Sequence, residues 1–127
     1  MTEELVEARR PVASLISKSE KALQKLAAGT WQHTMLRDNL KALRIGYALM
    51  DRQKGRAEPF ARDELQDALR AFGEMISRTD KARAKFSPGT SQYTLQRNRL
   101  TALRLAEILT KVELGKRALD EASAHSR

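Results

Sequence analysis

Apolar residues recur at alternating spacings of three and four through two long stretches of the chain. Leu5, Ala8, Val12, Leu15, Ser19, Ala22 and Leu26 form one series, and Leu65, Ala68, Phe72, Met75, Thr79, Ala82 and Phe86 form the other. Such spacing gathers each series onto one face of a helix and suits packing at about 20° to a neighbouring helix. Ser19 and Thr79 hold the same place in the two series, where a hydroxyl can bond back to the carbonyl four residues earlier. Pro11 conflicts with an uninterrupted first helix, since it lacks an N–H and its ring clashes with the preceding turn. The helix is expected to kink there, or to begin anew with Pro11 in its first turn.

Each series runs into a turn, Ala28-Gly29-Thr30 in one case and Pro88-Gly89-Thr90 in the other. Glycine can end a helix in the left-handed conformation, and the threonine that follows can cap the next helix through its side-chain oxygen. Second helices are expected from Trp31 to Met50 and from Ser91 to Val112. They should bury Met35, Leu40, Ala42, Leu43 and Leu49 in one case, and Leu95, Leu100, Ala102, Leu103 and Leu109 in the other.

The two halves are related. Residues 1–55 align with residues 61–115 without a gap and are identical at 20 of 55 positions. A gapless match implies equal element lengths, because an insertion would rotate one helix face against the other. Gly55 and Pro59 mark a linker over 52–60 between the copies, and the tail over 116–127 is expected to fray. One hairpin cannot bury its own apolar stripe. The expected fold is therefore a single all-α domain over residues 1–127, an internally duplicated helical hairpin forming an antiparallel four-helix bundle. An open solenoid is disfavoured, since such arrays need about three repeats.

Composition agrees with helix: 41% of residues are hydrophobic, 31% are charged, and there are only six glycines and three prolines. The absence of cysteine removes disulfides and thiolate sites and suits a reducing, cytoplasmic setting. The acidic start Met1-Thr2-Glu3-Glu4 leads into no apolar run, so no secretory signal, spanning segment or membrane association is expected.

Catalytic chemistry finds no support in the residues. His33 has no ligand-type neighbour one turn away and is replaced by Tyr93 in the second half, while His125 has only Glu121. A zinc site uses three or four protein ligands. No phosphate loop or nucleophile elbow is present. The acids gather near helix starts, as in Glu3, Glu4, Glu7, Asp63, Glu64 and Asp67, where the helix dipole favours them. No enzyme activity, metal or cofactor is expected.

Charge carries more. The net charge is +8, from 24 basic and 16 acidic residues, which brings nucleic acid and other polyanions onto the list of partners. In an up-down-up-down bundle both Gly-Thr turns lie at one end, giving a basic pole with the candidate anion-binding residues Lys21, Lys25, Thr30, Arg37 and Arg44 in one half and Lys81, Lys85, Thr90, Arg97 and Arg104 in the other. Lysines in the last turn of a helix also complement its dipole, whereas the four arginines gain nothing from it. Their plainer role is to lay aliphatic stems over the core edge or to pair with acids on a neighbouring helix. Trp31, a lone aromatic beside the basic end, could stack on a base, but it lies on the stripe of Ala42 and Leu49 and is expected to plug the end of the core. Gln32, Gln92, Thr34 and Thr94 are expected to satisfy first-turn N–H groups.

The halves differ at Leu36, Tyr47 and Met50, where the second half has Gln96, Glu107 and Thr110. Either the core is asymmetric or this wider stripe is a partner interface, for which a homodimer is the commonest solution. The leading expectation is a non-catalytic helical interaction module that binds a protein or itself. The alternative is nucleic-acid or other polyanion binding at the basic pole.

Overall fold

The computed structural model describes residues 2–51 and 60–125. They form four helices, α1 (Thr2–Gln24), α2 (Trp31–Met50), α3 (Arg62–Ala84) and α4 (Ser91–His125), with no strand among the described residues. The starts of α1 and α3, their ends, and the starts of α2 and α4 all lie sixty positions apart. The expected linker over 52–60 lies almost wholly outside the described residues.

Turn chemistry follows the sequence closely. Gly29 and Gly89 have φ of 90° and 91°, a conformation that a side chain would strain. Thr30 then caps α2 by accepting the His33 N–H at 3.2 Å, and its hydroxyl donates to the Ala27 carbonyl. Thr90 repeats both bonds with Tyr93 and Ser87. These threonines, and not Gln32, Gln92, Thr34 or Thr94, meet the first-turn donors.

Cross-helix pairs fix the directions. Arg44 with Glu20 and Arg9 with Asp51 make α1 and α2 antiparallel. Met35 beside Arg78, and Gly46 beside Phe72, do the same for α2 and α3. Arg62 meets Glu121 where the α3–α4 hairpin is open. Every helix thus reverses the one before it. Both Gly-Thr turns come to one end of the four-helix bundle, and Asp51, at the end of α2, lies at the other.

The centre of the bundle is a close crossing of α2 and α4. A Cβ added to Gly46 would lie 3.0 Å from the Ala106 Cβ and 2.9 Å from the Phe72 ring. Glycine is required there, because an added methyl in a close-packed interior forces its neighbours aside. Positions 46 and 106 correspond in the two halves, so the helices cross at matching residues. The sizes are complementary: Phe72 packs on Gly46, whereas the corresponding pair in the other half is the smaller Val12 and the larger Ala106. No Cα of α1 comes within 8 Å of one of α3 among the described residues, so the cross-section is pinched along the α2–α4 diagonal.

Burial is uneven along the bundle. Leu5, Ala8, Val12, Leu65, Ala68 and Phe72 are buried, together with Leu40 to Met50 of α2 at its apolar positions and Leu100, Leu103 and Ala106 of α4. Toward the turns the same two seams open: Leu15, Ala22, Leu26 and Met75 are only half-buried, and Phe86 and Leu95, both expected in the core, are exposed. Ser19 and Thr79 are half-buried, and neither makes the expected bond to a preceding carbonyl. That bond occurs instead in α4, from Thr101 to Arg97 and from the buried Thr110 to Ala106.

Three expectations change. Of the two readings of Pro11, the one in which a helix begins anew there is overturned, since α1 runs from Thr2 through it. α4 does not stop near Val112 but continues through Gly115 to His125, so most of the tail expected to fray is helical. Trp31 does not plug the core. It is 70% exposed.

Candidate anion-binding pole

The pole is built by the turns. Because each Gly-Thr turn is tight, the last turn of one helix and the first turn of the next share one surface, and the positive ends of the α2 and α4 dipoles emerge there. Neither first turn contains an acid. Lys21, Lys25, Lys81 and Lys85 are all exposed beside them, and none makes an ion pair among the described residues.

The arginines divide by half. In the first half Arg44 donates to Glu20 at 2.8 Å, and Arg37 lies 3.9 Å from the Asp38 carboxylate. In the second half Arg97 and Arg104 are exposed and make no ion pair among the described residues. Two substitutions account for this. Asn98 stands where the first half has Asp38, so Arg97 has no adjacent carboxylate. Asp80 stands in place of Glu20 with a shorter side chain, and is bound at 2.6 Å by Arg83, where the first half has Leu23. Of the two plainer roles for these arginines, pairing with an acid on a neighbouring helix describes Arg44 alone. Arg104 lies well down α4, at the shoulder of the pole and not at its tip.

Comparison with known proteins finds no matching family model, no matching curated protein and no matching solved structure. The site must be read from its own chemistry.

Trp31 changes that chemistry most. It is the first residue of α2, next to the cap, so the turn that gathers the lysines also presents the indole to solvent. The second half has Ser91 at this position. A side chain whose twin is a serine has no fixed place in a shared core, and that signal was available in the sequence. Phe86, 38% exposed, stands beside the other turn.

A groove of about 640 Å³ runs between α2 and α3 from the first Gly-Thr turn, with Gly29, Thr30 and Trp31 in its lining. Its lining includes Met35, Ala42, Ile45 and Ala71, and the acids Asp38, Glu64, Asp67 and Glu74 against the cations Lys41 and Arg70. Its four acids outnumber its two cations, so an anion is disfavoured along the groove away from the turn. Asn39 lines it while only 6% exposed, with no hydrogen-bond partner for its amide. Periodicity gave no reason to single out Asn39, because its counterpart is the half-buried Arg99.

The stripe at Leu36, Tyr47 and Met50 is largely used within the bundle. Met50 is 3% exposed in the core, and the corresponding Thr110 is buried too, so this difference between the halves is an asymmetric core. Tyr47 is half-buried, with the Arg9 guanidinium 4.9 Å from its ring centre and donating to its hydroxyl at 3.2 Å. Leu36 is half-buried. The most exposed apolar face lies instead on α4, where Ile108, Val112 and Leu119 project at helical spacing away from the core. Among the described residues no group of three His, Asp or Glu side chains could hold a metal ion, and no helix is long and apolar enough to cross a membrane.

Proposed function

We propose that this protein is a non-catalytic helical interaction module whose principal ligand is a polyanion held on the pole at the two Gly-Thr turns. The observation that carries this reading is the set of unpaired cations there: Lys21, Lys25, Lys81, Lys85 and Arg97 lack ion-pair partners among the described residues, and the adjoining helix starts are free of acids. Dipole complementation accounts for lysines in a last turn but not for Arg97 in the second turn of α4. Retention on immobilised heparin at low salt, with earlier elution of an Arg97→Glu/Arg104→Glu variant, is the expected result. A protein that passes through the same column at low salt is not a polyanion binder.

A second reading has its own support. Ile108, Val112 and Leu119 form an exposed apolar stripe on α4, and such stripes mark protein contacts. We propose that a second copy of the chain docks there, since self-association is the commonest arrangement for a soluble protein. Light scattering should give a dimer that Ile108→Glu/Val112→Glu disperses. A monomer at high concentration contradicts it.

A further inference from the structure

We infer that the pole takes single-stranded nucleic acid, with a base stacked on the Trp31 indole while the strand's phosphates follow the lysines of both turns. This rests on the polyanion reading above and names its ligand. A purely electrostatic site has no use for an indole in water, and tryptophan is among the side chains most buried on average. Here it is 70% exposed, next to the α2 cap at the end of the bundle that carries the unpaired Lys21, Lys25, Lys81 and Lys85. Of the polyanions, only nucleic acid offers flat π faces alternating with negative charges, and only a single strand offers those faces without unstacking a duplex.

The shape of the pole agrees. Its tips are turns and presents no long helix or strand ribbon to lie along a duplex groove. The duplicated exposed residues give each tip the same phosphate-binding set, Lys21 and Lys25 on one and Lys81 and Lys85 on the other, so one strand can bridge both. Trp31 also lines the groove that holds Asp38, Glu64, Asp67 and Glu74, and those acids direct the phosphates away from it and toward the lysines of the tips. Whether the sugar is deoxyribose or ribose is not distinguished by this chemistry, and both belong in the test.

Trp31 is the only tryptophan in the chain, which makes its fluorescence a direct reporter. The intact protein is titrated with oligothymidylate, oligouridylate, a duplex, heparin and vesicles of anionic phospholipid, following Trp31 emission. In parallel, anisotropy of labelled oligonucleotides is read for wild type, Trp31→Ala and Trp31→Phe. Both single strands, or one of them, should quench the emission, with a duplex binding more weakly. Trp31→Ala should weaken single-strand binding about tenfold, as loss of one stacked base implies, while Trp31→Phe retains most of it. Unchanged helicity by circular dichroism is expected for both variants, because the side chain is exposed.

Binding of oligonucleotides with unchanged Trp31 emission, or a duplex bound as tightly as a single strand, overturns this inference and leaves the polyanion reading standing. An emission change with vesicles alone assigns the pole to a lipid surface and also overturns it. No binding to any strand, duplex or heparin removes both proposals together.

Discussion

The two ends of the bundle are formed by the same four helices yet are packed in opposite ways. Around the open ends of the hairpins the seam residues are buried almost completely, Phe72 sits against Gly46, and α2 crosses α4 at a distance only small residues allow. Around the Gly-Thr turns the same seams open, apolar burial gives way to half-buried Leu26 and Met75, and exposed Trp31, Phe86 and Leu95 stand among cations. The difference teaches that apolar burial and unpaired charge occupy separate ends. Burial of apolar surface at one end holds the helices together, which leaves the other end free to keep charges unpaired and aromatics in water at little cost to the fold.

That separation can be broken or sharpened by substitution. The largest effect is expected for Phe72→Ala at the packed end, a loss of about 3–5 kcal/mol in chemical denaturation, because the ring is fully buried and its cavity cannot collapse against a glycine. Gly46→Ala should cost about 1–3 kcal/mol by overpacking. Combining it with Phe72→Val re-creates the size pairing of Val12 and Ala106, so the double variant should lose less than the two single losses together; simple additivity would show that the two sites do not share one space.

At the turns the effects should be smaller and local. Gly29→Ala and Thr30→Ala should each cost about 1 kcal/mol, the first by placing a side chain at positive φ and the second by removing the α2 cap. A loss several times larger would mean that the tips contribute to the core after all. Smallest of all in stability, and most telling for recognition, is Asn98→Asp. It gives Arg97 the neighbour that Arg37 already has, so thermal stability should move by less than about 0.5 kcal/mol while heparin retention falls. Asp38→Asn should do the reverse in the first half.

Much of the fold was legible in the sequence because periodicity and turn chemistry are local. The three-four spacing, the Gly-Thr pairs and the four helices follow from residues close in sequence, and α2 and α4 start where their threonine caps put them. What was not legible depended on how far burial extends along a seam. Phe86 and Leu95 fit the pattern as well as Leu5 or Leu100, but a pattern does not reveal that the helices part near the turns. Trp31 was misassigned for the same reason, although Ser91 in the other half pointed to the surface. The basic pole was visible as clustered lysines, whereas which arginines stay unpaired depended on neighbours brought in by folding: Glu20 reaches Arg44, and Asp80 is taken by Arg83 before Arg104 can use it. The α4 stripe of Ile108, Val112 and Leu119 lay hidden because that helix carries apolar residues on two faces.

The salt dependence of binding to a single-stranded oligonucleotide is the measurement closest to the central claim. If four or five of the unpaired cations at the turns each neutralise a phosphate, the logarithm of the association constant should fall against the logarithm of salt concentration with a slope of about −3. Lys25→Glu/Lys85→Glu should flatten that slope while leaving the unfolding midpoint in place. A slope near zero, or one unchanged by the double charge reversal, would contradict the assignment of recognition to the pole.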